Sequence, residues 1–169
     1  GHERHMGSDG TAAGYHFLQP GTRDCLGHTS QKVVASHRND HCRRAMPVAL
    51  GWHPWFRKPD RLLFAPAAMY PRDGEGIAVL PCVDPAQGPW DDCFINQRDI
   101  TLGYGGQHLT LRANTHHWVV YDAATHATCV EPQTGPPDAF TLAPRVLSPG
   151  QRLHLAFELA WQAGEGRAA

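Results

Sequence analysis

From Leu153 to Trp161 every second residue is large and apolar. Leu153, Leu155, Phe157, Leu159 and Trp161 point one way, and His154, Ala156, Glu158 and Ala160 the other. A period of two belongs to an extended strand with one buried face, not to a helix. Such a strand needs a second apolar layer to cover it. Burying each large side chain stabilises the fold by about 1.5–3 kcal/mol, so this strand is expected to anchor the sheet.

The chain upstream repeats the theme. Ile100, Leu102 and Tyr104 share one face of residues 99–104, and Leu109 and Leu111 one face of 107–112. Between them Gly105-Gly106 supplies the positive φ of a tight hairpin. Residues 117–121 and 127–130 read as a second strand pair, and 48–50, 61–65 and 77–80 as short strands. Residues 66–90 are rich in proline and glycine and read as a long ordered loop. No stretch has a convincing helical period. With 17 glycines and 14 prolines as punctuation, the expectation is an all-β antiparallel sandwich.

The 169 residues suit one domain, and 41% hydrophobic with 18% charged residues suits a folded one. A formal net charge of -1 argues against nucleic acid or an anionic membrane as partner. No apolar run approaches the ~18 residues of a membrane span, and no secretory signal pattern opens the chain. Cys25, Cys42, Cys82, Cys93 and Cys129 are odd in number and never spaced Cys-x-x-Cys. Neither a disulfide framework nor a structural zinc site is expected, and a cytoplasmic location is.

Residues 1–45 differ from the rest. They hold six of the twelve histidines (His2, His5, His16, His28, His37 and His41) in no standard zinc spacing. Only 15–18 and 32–35 could be strands there, so the segment reads as a solvated arm that is poorly ordered or frame-shifted. The domain reading is therefore an atypical arm over 1–45, a sandwich over 46–162 and a fraying tail over 163–169.

Candidate chemistry begins at Glu131, where the β-rich run Thr128-Cys129-Val130 meets Pro132-Gln133-Thr134-Gly135-Pro136-Pro137-Asp138-Ala139. A strand end feeding a rigid loop can fix a backbone and expose a carboxylate. Glu131-Pro132-Gln133 followed by Pro137-Asp138-Ala139 resembles the catalytic-glutamate segment of the aldose 1-epimerases, the galactose mutarotase-like enzymes. Upstream, Trp52-His53-Pro54-Trp55-Phe56 is similar to the family's His-x-aromatic-Phe motif, and Asp91-Asp92-Cys93-Phe94 to its Asp-x-x-Phe motif. Leu147-Ser148-Pro149-Gly150-Gln151 leads into the last strand, as in the family. Four motifs in order are more specific than any one.

The resemblance implies the mutarotase β-sandwich and the interconversion of α and β anomers of an aldose. That reaction wants an acid and a base on opposite sides of the sugar, with no metal or other cofactor. Glu131 would be the base at the anomeric hydroxyl and His53 the acid at the ring oxygen. Asp91 or the adjacent Asp92 would grip sugar hydroxyls, and Trp52, Trp55 and Trp90 could stack on the pyranose. The implied partner is a hexose, or a phosphorylated hexose if Arg57-Lys58 served as a basic cluster. Cys93 and Cys129 read as small buried hydrophobes.

The family also draws a second histidine and an arginine from its N-terminal half, and residues 1–45 carry no match to them. The expectation is a chain truncated or frame-shifted at its start, tested by translating the upstream DNA in the other two frames. A truncated sandwich would expose strand edges and invite self-association. Two other readings stay open: a carbohydrate-binding or inactive remnant domain, and a purely structural sandwich.

Overall fold

The computed structural model describes the backbone of residues 22–23, 29–38 and 44–163, and side chains over 44–161. Strands are numbered in chain order, and every pairing is antiparallel. The first sheet runs β1 (Thr22–Arg23), β2 (Thr29–Arg38), β13 (Arg152–Ala163), β9 (Gln107–Ala113), β8 (Ile100–Tyr104), β5 (Arg61–Leu63). The second runs β4 (Trp55–Arg57), β11 (Ala127–Gln133), β10 (His117–Tyr121), β7 (Asp91–Ile95), β6 (Ala68–Met69). A small ribbon pairs β12 (Val146–Leu147) with β3 (Met46–Pro47), and one helical turn, α1, spans Ala139–Leu142.

The core lies between the two sheets. Ile100, Leu102, Leu109, Leu111 and Phe157 from the first pack with Phe94, Trp118, Val120 and Val130 from the second. The Trp118 and Phe157 rings meet across the layers, edge to face, at 6.2 Å. The fold is therefore the antiparallel sandwich that the alternation demands. The hairpin turns at Gly105, whose φ of 59° explains the glycine. On β13, Leu153, Leu155 and Phe157 are buried, and Trp161 at the strand's far end is 38% exposed.

Several local expectations need correction. Residues 29–38 were expected in a solvated arm, but β2 pairs with β13 along ten positions, from Arg152↔Arg38 to Trp161↔Thr29. Backbone pairing to a strongly patterned neighbour makes this strand, although its own apolar content is thin. Residues 15–18 lie outside the described residues. Residues 48–50 are not a strand: the Val48 amide donates to Arg145 O and the Leu50 amide to Thr134 Oγ1. Residues 77–80 make only an isolated bridge, Arg72↔Ala78. The loop closes on itself there, with Asp73 N bonded to Ile77 O and Val79 N to Pro71 O. The turn α1 arises in a segment that reads as loop, and its Thr141 and Leu142 amides both donate to Asp138 O.

The long loop covers part of the second sheet's outer face. Tyr70 and Ala78 pack on Cys93 of β7, with Val119 of β10 and Leu142 of α1 against the same cluster. No helix among the described residues is long and apolar enough to cross a membrane.

Candidate acid–base site

β11 runs on through Pro132 to Gln133, so Glu131 lies inside a strand and not at its end. Proline is tolerated there because the neighbour on its open side is only the 51–52 segment, whose Trp52 amide donates to Pro132 O at 3.1 Å. Strand alternation sends Thr128, Val130 and Pro132 inward and Cys129, Glu131 and Gln133 outward. β4 pairs Cys129 with Trp55, so the residue two before Trp55 comes alongside Glu131. That residue is His53, and its Nε2 lies 3.2 Å from Glu131 Oε1. Gly51 keeps this segment close: a Cβ there would stand 3.2 Å from Gln133 Cγ.

The two groups sit in unlike surroundings. Glu131 is 4% exposed, whereas 65% of the His53 side chain is exposed. Burial raises the Glu131 carboxyl above its ordinary pKa and the Asp91 charge adds to that; His53 and a 3.4 Å hydrogen bond from Gln133 Nε2 to Oε2 pull the other way. The His53 ring stacks on Trp55, centroids 6.0 Å apart at 14°. Trp55 is 58% exposed and meets Tyr121 edge-on. Cys129 is fully buried next to Glu131, and burial pushes its thiol up to about 11. His53, Cys129 and Glu131 offer a nitrogen, a sulfur and an oxygen all within 4.8 Å of one another.

The other expected site residues divide. Asp91 and Asp92 open β7 as strand residues, not as a turn, and both are held by Arg72: Nε to Asp92 Oδ1 at 3.0 Å and NH1 to Asp91 Oδ2 at 3.5 Å. Of the two, only Asp91 acts on the Glu131 carboxyl, through charge. Trp52 and Trp90 do not belong with Trp55. Alternation turns Trp52 inward against the core, where its indole N–H is buried without a partner among the described residues. Trp90 packs edge-on to Phe64 and Phe94, both at 5.7 Å. Arg57 lies over the Tyr104 ring and Lys58 Nζ bonds Asp122 O, so neither forms a free basic cluster at His53.

One expectation about geometry is overturned. His53 and Glu131 touch, so they do not stand on opposite sides of a sugar as the resemblance implies. Cross-strand neighbours on one face of a sheet stand too close for that. Gln133, Cys129 and Tyr121 were missed as site residues. The period of two along β11 already aligns the first two with Glu131, but Tyr121 needs the strand register.

No protein-family model matches the sequence. No curated protein matches it either. Solved structures do. A candidate aldose 1-epimerase from Escherichia coli K12 superposes with TM-score 0.66 at 13% identity, over 86% of this chain and 64% of that one. A galactose mutarotase-like protein from Clostridium acetobutylicum gives 0.64 at 13% identity, over 80% and 52%. An aldose epimerase homologue from C. elegans gives 0.61 at 13% identity, over 86% and 59%. The sandwich is thus of the galactose mutarotase-like type. This chain spans between 52% and 64% of the length of those three structures.

Proposed function

We propose that the chain interconverts the anomers of an aldose by general acid–base ring opening at His53 and Glu131. The observation that carries the reading is their 3.2 Å contact on the outer face of the second sheet, with the carboxylate buried and the imidazole exposed. The raised pKa of Glu131 suits a base that must take a proton near neutral pH. Glu131 would take the proton of the anomeric hydroxyl while His53 protonates the ring oxygen. Both oxygens sit on C1, so two adjacent groups can serve them from one side of the ring. The ring opens to the aldehyde, the C1–C2 bond turns, and reclosure returns both protons.

Trp55 is the aromatic best disposed to stack on the sugar, and Asp91 is the carboxylate to bond its hydroxyls. A neutral hexose is favoured over a phosphorylated one, because Arg57 and Lys58 are engaged elsewhere. The free thiols of Cys82, Cys93 and Cys129 accord with a reducing cytoplasm.

The exposed Trp55 ring also favours a second reading, sugar binding without turnover. Polarimetry on freshly dissolved α-glucose and α-galactose separates the two. The proposal expects the rotation to relax faster with protein present, and His53→Ala to lower that rate by ~10²–10⁴-fold. A quench of tryptophan fluorescence by sugar with no faster relaxation would leave only the binding reading.

A further inference from the structure

The outer face of β11 carries a donor set that proton transfer to a sugar does not need. Cys129 is buried, lies on the same face as Glu131, and has no part in the acid–base scheme. We propose that His53, Cys129 and Glu131 bind a thiophilic divalent cation of the zinc type, at the same place where the sugar would react.

The set offers imidazole nitrogen, thiol sulfur and carboxylate oxygen, the three donor types of protein zinc sites. A thiolate in the set selects zinc or copper(I) over magnesium, calcium and manganese, which prefer all-oxygen shells. A tetrahedral zinc with bonds of about 2.0–2.3 Å puts its ligand atoms about 3.3–3.6 Å apart. His53 Nε2 and Glu131 Oε1 already stand at 3.2 Å, and all three donors lie within 4.8 Å. Small side-chain rotations, most freely at the exposed His53 ring, would bring Cys129 Sγ to the same spacing.

Two of the donors are preorganised. Cys129 and Glu131 sit two residues apart on β11, which is paired to β10 on one side and, at Cys129, to β4 on the other. Gln133 Nε2 bonds Glu131 Oε2, which leaves Oε1 for the metal and supplies the outer hydrogen bond that metal-binding carboxylates characteristically carry. The His53 side chain is 65% exposed, so a fourth ligand on its side would come from solvent. Binding displaces the Cys129 thiol proton to water.

A metal held there would occupy both groups assigned to catalysis. It would act as a reversible inhibitor competitive with sugar; this consequence, unlike the binding itself, rests on the proposed function.

Cobalt(II) is the probe, because a cobalt–thiolate bond gives a near-ultraviolet charge-transfer band that histidine sites elsewhere in the chain cannot give. Titrating the full chain under reducing conditions should raise that band to saturation at one cobalt per chain, with zinc displacing it. Cys129→Ser should abolish the band. His53→Ala, a change at an exposed ring that should leave the circular-dichroism spectrum unchanged, should weaken binding at least ~10-fold. A wild-type protein with no band overturns the proposal, as does a band that survives in Cys129→Ser or keeps its affinity in His53→Ala. If Cys129→Ser does not fold, the His53→Ala affinity decides. Mutarotation measured on metal-free protein is read separately, so a cobalt band without mutarotation rejects the enzyme reading and keeps the metal site.

Discussion

β11 has two faces, and they differ in kind. Inward, Thr128 and Val130 are fully buried in the layer that holds Phe94 and Trp118. Outward, Cys129 and Glu131 are almost as buried, at 0% and 4% exposure. Burial alone therefore does not tell the faces apart. Their neighbours do: the inner face meets rings and aliphatic chains, and the outer face meets an imidazole, an amide and a second carboxylate at a distance. A sheet can shield a carboxylate without making its surroundings apolar. The shielding raises the carboxyl pKa, and His53 and Gln133 pull it the other way.

Trp118 fills the inner layer at 2% exposure. Trp118→Ala should cost about 3–5 kcal/mol in denaturant unfolding. A small cost would mean that the core is not where the two sheets meet.

The next test concerns the covered end of the outer face, where Tyr70 OH and His117 Nε2 lie 3.2 Å apart. Burial, then the neighbouring His116, lowers the His117 pKa. The folded protein thus resists protonating a ring that the unfolded chain protonates at about 6.5. Stability should fall as pH drops below that value and level off once the depressed folded pKa is passed. His117→Gln should flatten this fall in urea midpoints measured across the acid range; an unchanged slope would assign it to other groups.

Trp55→Ala sharpens the contrast with Trp118. Its ring is more than half exposed, so stability should move by only ~0.5 kcal/mol, while any sugar-induced fluorescence change should disappear. The smallest effect belongs to Thr128, whose hydroxyl is buried without a partner among the described residues. Thr128→Val removes a group that gains nothing from burial, and the midpoint should stay level or rise. A clear loss would reveal a hydroxyl partner.

The sequence makes much of the inner face legible and less of the outer. The β13 alternation and the Gly105-Gly106 hairpin are local signals, and both stand in the structure. β2 is hidden because its partner β13 lies at the other end of the chain. Pro132 hides the true length of β11, since proline within a run reads as a stop. The pairing of His53 with Glu131 follows from the motifs, but their direct contact does not. It depends on the register Cys129↔Trp55, which no local pattern specifies. The same register decides that Trp55 joins the site while Trp52, one alternation step away from His53, turns into the core.

In the proposed reaction Glu131 moves a proton in concert with His53. Glu131→Gln keeps the side chain's size and its place on β11 while removing the base. Polarimetry of α-glucose with wild type and this variant at equal concentration should show the protein-dependent rate falling ~10²–10⁴-fold, with circular dichroism unchanged. A glutamine variant that relaxes the sugar as fast as wild type would contradict the account.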